Sequence, residues 1–147
     1  LQYEIVDDNL KYLGDWLIYV EDKTVAEINL KSTTIGIGPH AFKYLANLTS
    51  IILPSAVKIV GNGAFEYCTA LESVEILSAS IIETLAFNGC ALLKELTIYG
   101  LPPQLGRDAF KNTSLTKIYV EEHLVDVYKS SQGFESHAHI IFAKPAN

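Results

Sequence analysis

The chain has 147 residues, of which 49% are apolar and only 19% charged; its net charge is -6 and it contains no methionine. That length can bury a sizeable core, and the low charged fraction excludes intrinsic disorder. Eleven basic residues, scattered singly among seventeen acidic ones, exclude a phosphate-neutralising footprint and a polybasic patch, so neither nucleic acid nor membrane is an expected partner.

Leu1 rather than Met opens the sequence, which fits a mature or trimmed piece of an exported protein whose signal peptide is gone. Residues 1–24 hold Glu4-Ile5-Val6, then Leu10-Lys11-Tyr12-Leu13, a turn at Gly14-Asp15 and the run Trp16–Val20. They predict a small β-hairpin or meander that closes the N-terminal end. The Trp16–Val20 run is far too short to span a bilayer. The pairs Asp7-Asp8 and Glu121-Glu122 read as solvated surface.

From residue 25 the chain repeats itself. Ala-Phe recurs at Ala41-Phe42, Ala64-Phe65, Ala86-Phe87 and Ala109-Phe110, at intervals of 23, 22 and 23. An apolar-x-x-apolar-x-apolar pattern keeps step with it. Its copies are Val25/Ile28/Leu30, Leu48/Ile51/Leu53, Leu71/Val74/Ile76, Leu93/Leu96/Ile98 and Leu115/Ile118/Val120, with a degraded sixth at His137/Ile140/Phe142. Ile37, Val60, Ile82 and Leu105 form a third column, four residues ahead of each Ala-Phe. The alternating end of each copy predicts a short strand with one buried face. A unit of this size cannot bury that face alone, so consecutive copies must stack with their strands parallel. Six strands about 4.8 Å apart would give a stack about 25 to 30 Å long. Gly38, Gly61 and Gly106 mark a predicted tight turn, and Glu83 interrupts their column.

After Val120, Glu121–Lys129 has helical spacing with acidic residues first, which predicts a short helix ended by Ser130-Ser131-Gln132-Gly133. A strand at Ile140–Phe142 then seals the stack, and the polar tail Lys144–Asn147 is expected to fray. His137-x-His139 is expected on one face of that strand as cap residues rather than metal ligands, since no further ligand surrounds it. Cys68 and Cys90 fall in one column of adjacent coils, within reach of a disulfide, but parallel ladder side chains favour two buried thiols. Gly36-x-Gly38 and Gly61-x-Gly63 lack the lysine and helix signal of a phosphate loop. No nucleophile elbow or acid–base pair stands out, so no catalytic residue, cofactor or metal is expected, and the chain is read as a non-enzyme.

The aligned unit reads Leu48-x-x-Ile51-x-Leu53-Pro54-x-x-Val57-x-x-Val60-Gly61-x-x-Ala64-Phe65-x-x-Cys68-x-x-Leu71. It resembles the BspA-type leucine-rich repeat over residues 25–120, with both caps matching more loosely. The family's proline falls on Pro54 alone, and its cysteine on Cys68 and Cys90. The asparagine of the commoner leucine-rich repeat is absent; Ala56, Ala79, Leu101 and His123 stand in its place. The resemblance implies a secreted or cell-surface protein that binds other proteins, in some members host matrix components, and it implies no catalytic residues.

The expected architecture is an α/β repeat solenoid over residues 1–147. It is a right-handed leucine-rich-repeat superhelix with a single parallel β-sheet, a β-hairpin N-cap at 1–24, repeats at 25–120 and a helix-plus-strand C-cap at 121–147. Strand positions between the core residues point outward: Glu27, Asn29, Ser50, Ile52, Ser73, Glu75, Glu95, Thr97, Lys117 and Tyr119, with Leu77, Tyr99 and Glu121 just beyond. The candidate partner-binding residues among these are Ile52, Glu75, Thr97, Tyr99, Lys117 and Tyr119, the exposed apolar and aromatic ones serving as anchors. Tyr44 and Tyr67 share another column and are placed to stack as a second exposed patch. The expected function is a protein-interaction module at the cell surface or outside the cell, whose partner is a host matrix or bacterial surface protein. The alternative is a structural spacer within a longer surface protein.

Overall fold

The computed structural model of the protein describes residues 2–6 and 9–146, so Asp7-Asp8 and Asn147 lie outside the described residues. Three antiparallel strands open the chain: β1 (Glu4–Val6), β2 (Leu10–Leu13) and β3 (Trp16–Val20). Alternation along β2 buries Leu10 and Tyr12, and a register shift between Lys11 and Tyr12 brings their partners Val20 and Leu17, three residues apart on β3, to the same buried side. Gly14 turns the chain between them at φ 60°, in the left-handed region where a side chain is strained.

Each following coil supplies a short strand and a longer one. In chain order these are β4 (Gly36–Ile37), β5 (Ser50–Leu53), β6 (Ile59–Val60), β7 (Ser73–Ile76), β8 (Ile81–Ile82), β9 (Glu95–Ile98), β10 (Gln104–Leu105) and β11 (Lys117–Val120). A 3-10 turn (Glu122–Leu124), the helix α1 (Val125–Lys129) and a 3-10 helix (Glu135–Ile140) lead to β12 (Ile141–Ala143). The longer strands form the expected parallel sheet, in the order β12-β11-β9-β7-β5. The expectation of a single sheet is corrected here. The short strands build a second ladder, and the N-terminal hairpin joins it in the order β1-β2-β3-β4-β6-β8-β10. The third sequence column, Ile37, Val60, Ile82 and Leu105, is the seam of that second sheet.

Other expectations shift at the two ends. Val25, Ile28 and Leu30 pack against the core, half-buried, but the segment carrying them forms no strand beside β5. At the far end Ile118 pairs with Ile141, not with Ile140, so the last strand sits one residue later than predicted. Ile141 is therefore buried, whereas Phe142 is 46% exposed. His137 and His139 lie on the 3-10 helix instead of a strand. Lys144 is anchored instead of frayed, its amide donating to the Val120 carbonyl at 2.8 Å.

The stacked columns form one hydrophobic cluster. Phe42, Phe65, Phe87 and Phe110 stack in sequence with ring centroids 4.6, 5.0 and 6.0 Å apart, and His137 closes the row edge-on at 5.5 Å. Cys68 and Cys90 are buried free thiols. Each donates to a carbonyl of the coil before it, Cys68 Sγ to Phe42 O at 3.0 Å and Cys90 Sγ to Phe65 O at 3.1 Å. Both thus point along the stack. Hydrogen bonding with the Cys68 thiol, followed by burial, pushes the Cys90 thiol well above the ordinary range, so it is inert as a nucleophile.

Gly38 and Gly61 open the predicted tight turns, their carbonyls accepting from the Ala41 and Ala64 amides at 3.2 and 3.0 Å. The left-handed residue of each turn stands two places on, at His40 and Gly63, while the glycines of this column, Gly106 included, have no positive φ of their own. They allow close approach: a Cβ on Gly61 would stand 2.6 Å from the Ile37 carbonyl oxygen, and one on Gly106 would strike the Glu83–Thr84 backbone. The left-handed residues fall in two columns, His40/Gly63/Leu85/Asp108 within these turns and Tyr44/Tyr67/Gly89/Asn112 four residues on.

Candidate functional site

The register of the five-stranded sheet decides which side chains share its outer face. Ile52 pairs with Glu75, Glu75 with Thr97, Thr97 with Tyr119, and Tyr119 with Phe142. These five form one row across the sheet, about 4.8 Å from strand to strand. Four of the six sequence candidates therefore fall on a single line, with Lys117 in the neighbouring row and its ammonium 5.9 Å from the Tyr119 ring. Tyr99 lies two positions along from Thr97, and the Lys144 ammonium lies 5.6 Å from its ring. Ile52 and Lys117 are exposed; Glu75, Thr97, Tyr99 and Tyr119 are half-buried.

Phe142 was missed because the sixth copy was set one residue early. The period alternates between 22 and 23, so spacing alone could not choose between Ile140 and Ile141. With Phe142 on the face, its C-terminal end gathers Tyr99, Tyr119 and Phe142 beside the cations Lys117 and Lys144. At the other end Ile52 borders a depression of about 410 Å³ between Glu27–Leu30 and β5. Lysines over aromatic faces contribute about 0.5–1 kcal/mol each at exposed sites, enough to orient these rings.

The reverse side carries a different cluster. Tyr44 and Tyr67 stack as expected, 5.5 Å apart and within 9° of parallel, both in the left-handed region. Beside them the Glu66 carboxylate is buried against Lys43 Nζ at 3.4 Å and His40 Nδ1 at 3.5 Å. It accepts from Asn88 Nδ2 at 3.2 Å, and Asn88 Oδ1 accepts in turn from Asn112 Nδ2 at 3.1 Å. Every buried side-chain nitrogen and oxygen among the described residues has a hydrogen-bond partner, so this network reads as structural.

Among the described residues no three His, Cys, Asp or Glu side chains converge to hold a metal ion, and no helix is long and apolar enough to cross a membrane. Burial, followed by the His139 charge, lowers the pKa of His137 below its ordinary value of 6.5. At neutral pH it serves as an uncharged cap on Phe110.

The sequence pattern described as the BspA type leucine rich repeat region matches residues 18–139 in six copies. A leucine-rich repeat protein from Bacteroides capillosus ATCC 29799 is similar in structure, with a TM-score of 0.54 and 26% identity over 81% of this chain and 92% of that one. A leucine rich cell surface protein from Faecalibacterium prausnitzii A2-165 aligns at 18% identity and a TM-score of 0.40, over 88% of this chain and 51% of that one. The chain thus spans about half the length of this second protein. No curated protein matches the sequence.

Proposed function

The chain belongs to the BspA-type leucine-rich repeat family, and we propose from that premise that it is a protein-interaction module working at the cell surface or outside the cell. It binds a protein partner through the outer face of the five-stranded sheet and catalyses no reaction. The observation that carries this reading is the row Ile52, Glu75, Thr97, Tyr119 and Phe142, held in register by parallel strands. A rigid sheet presents such a row without the ordering cost that a loop would add on binding.

Tyr99, Tyr119 and Phe142 are the anchors, because large flat side chains bury much area with few rotatable bonds. Lys117 and Lys144 lie beside these rings. Glu95, the register partner of Lys117, and Glu121, which accepts from the Gly100 amide, lie there too, so this end of the face carries both signs of charge. The complementary surface on the partner is therefore apolar with a rim of mixed charge. Glu75 and Thr97 set the polar middle of the row, and Ile52 its far apolar end.

The test is a pull-down from detergent-solubilised bacterial and host surface proteins, comparing the wild type with a Tyr99→Ala/Tyr119→Ala variant. The proposal expects the captured partner to be lost with the variant while the fold, followed by circular dichroism, is unchanged. A partner retained in equal amount would reject the face.

A further inference from the structure

Three successive coil junctions are built alike around the Ala-Phe turn. The amides of His40, Phe42 and Tyr44 donate to the carbonyls of Asn62, Ala64 and Glu66 one coil on, at 3.0, 2.8 and 3.0 Å. Gly63, Phe65 and Tyr67 do the same to Thr84, Ala86 and Asn88, and Leu85, Phe87 and Gly89 to Arg107, Ala109 and Lys111. One bond per junction runs the other way. The amides of Gly61, Glu83 and Gly106 donate back to the carbonyls of Ile37, Val60 and Ile82, at 2.9, 2.9 and 2.7 Å. Every coil thus offers the next one a carbonyl followed by three alternate amides.

The last coil offers the same set, the Leu105 carbonyl and the amides of Asp108, Phe110 and Asn112. Among the described residues no group meets them. The C-terminal cap covers the core here, with Phe134 and Tyr128 buried and His137 against Phe110, but it makes no hydrogen bond to this edge. Instead, two depressions of about 550 and 530 Å³ adjoin along it and share Leu105 and Gln132. The first is floored by residues 105–111, the second by 101–105. Strand β10, which leads into this turn, also ends its sheet, with no neighbour beyond it among the described residues.

We propose that this edge is a second binding site, distinct from the sheet face, which takes a peptide segment of another chain, folded in the same consecutive turns as residues 61–67, in the place of one further coil. An unpaired row of backbone groups is a template for another backbone, and three internal junctions define the complement: one amide, then carbonyls on alternate residues. Charge selects the side chain. Lys111 stands in the column of Lys43, whose ammonium lies 3.4 Å from Glu66 in the following coil. A glutamate at the matching place of the bound segment reaches Lys111 in the same way, although Asp108 already lies 4.0 Å from that ammonium. The preferred occupant is therefore a glycine-containing segment that adopts these turns, with an acidic residue near its C-terminal end.

A suitable probe is a synthetic peptide with the sequence of residues 59–67 carrying Phe65→Ala, since the cap already fills the core behind Phe110. Amide exchange and chemical shifts of the full chain are followed by NMR as the peptide is added. The amides of Asp108, Phe110 and Asn112 should slow at least tenfold at saturation, with the Tyr99 and Tyr119 signals unmoved. Gln132→Trp, an exposed site where the two depressions meet, should weaken the peptide at least tenfold, and Lys111→Glu at least threefold. Unchanged exchange at the three amides would overturn the proposal, as would peptide-induced shifts confined to the sheet face. Protection that rises with protein concentration in the absence of peptide would assign the edge to a second copy instead. Equal protection by inorganic phosphate would make it an anion site, and either result rejects the peptide.

Discussion

Glycine acts in two ways in this molecule, and substitution separates them. At Gly61 the missing side chain lets one coil press on the next, since a Cβ would stand 2.6 Å from the Ile37 carbonyl oxygen and 2.9 Å from the Gly38 carbon. Gly61→Ala should lower stability by about 1–3 kcal/mol through forced separation of two coils, read as a shift in the urea midpoint. At Gly14 the space is open and only the backbone is left-handed, so Gly14→Ala should cost about 1–2 kcal/mol and leave packing intact. His137 carries a pH dependence. Its folded pKa lies below the ordinary 6.5 because burial, then His139, disfavours the charged ring. Folding therefore favours the neutral form; the benefit is complete above pH 6.5 and disappears as pH falls through the lower folded value. Thermal melts at pH 7.5 and 5 should show a smaller acid-induced drop for His137→Phe than for the wild type. An equal drop would contradict the assignment.

At the scale of elements, the phenylalanine ladder couples the coils more strongly than any surface pair. Phe87 is fully buried between Phe65 and Phe110, so Phe87→Ala should cost about 3–5 kcal/mol. Tyr44→Ala, at an exposed ring 57% open to solvent, should change stability far less. The cap is tied by the buried Tyr128, whose hydroxyl donates to the Gly100 carbonyl at 2.9 Å. Tyr128→Phe keeps the ring and should cost about 1 kcal/mol, measured by the same denaturation. The ladders were legible in the sequence because a repeated burial pattern repeats the residue types that fill it. Columns at Ile37 and at Phe42 needed nothing more. What the pattern did not carry is backbone pairing. Val25, Ile28 and Leu30 have the apolar spacing of a strand, yet alternation states which face is buried and not whether the chain reaches its neighbour. The second sheet stayed hidden because its strands have two residues each, below any alternation. The left-handed columns were equally silent, since Leu85, His40 and the two tyrosines occupy a conformation that their types do not advertise.

For the molecule as a whole, the stack explains the unusual composition: 49% apolar residues supply continuous ladders, and the charges lie mainly outside them. Most of the candidate face was readable, since a period of two along each strand separates outward from inward positions. Ile52, Glu75, Thr97 and Tyr119 fell into one row on that basis, and the register confirmed their alignment. Phe142 and Lys144 were not readable, because the cap departs from the repeat and resets the spacing. The proposal makes the sheet face the surface that meets a partner and leaves the exposed Tyr44–Tyr67 stack outside it. The most direct measurement places a photo-crosslinking amino acid singly at positions 52, 119 and 67 and irradiates each variant with bacterial and host surface proteins. Crosslinks to one partner from positions 52 and 119, with none from 67, are the predicted result. A crosslink from position 67 with silence at 52 and 119 would contradict it.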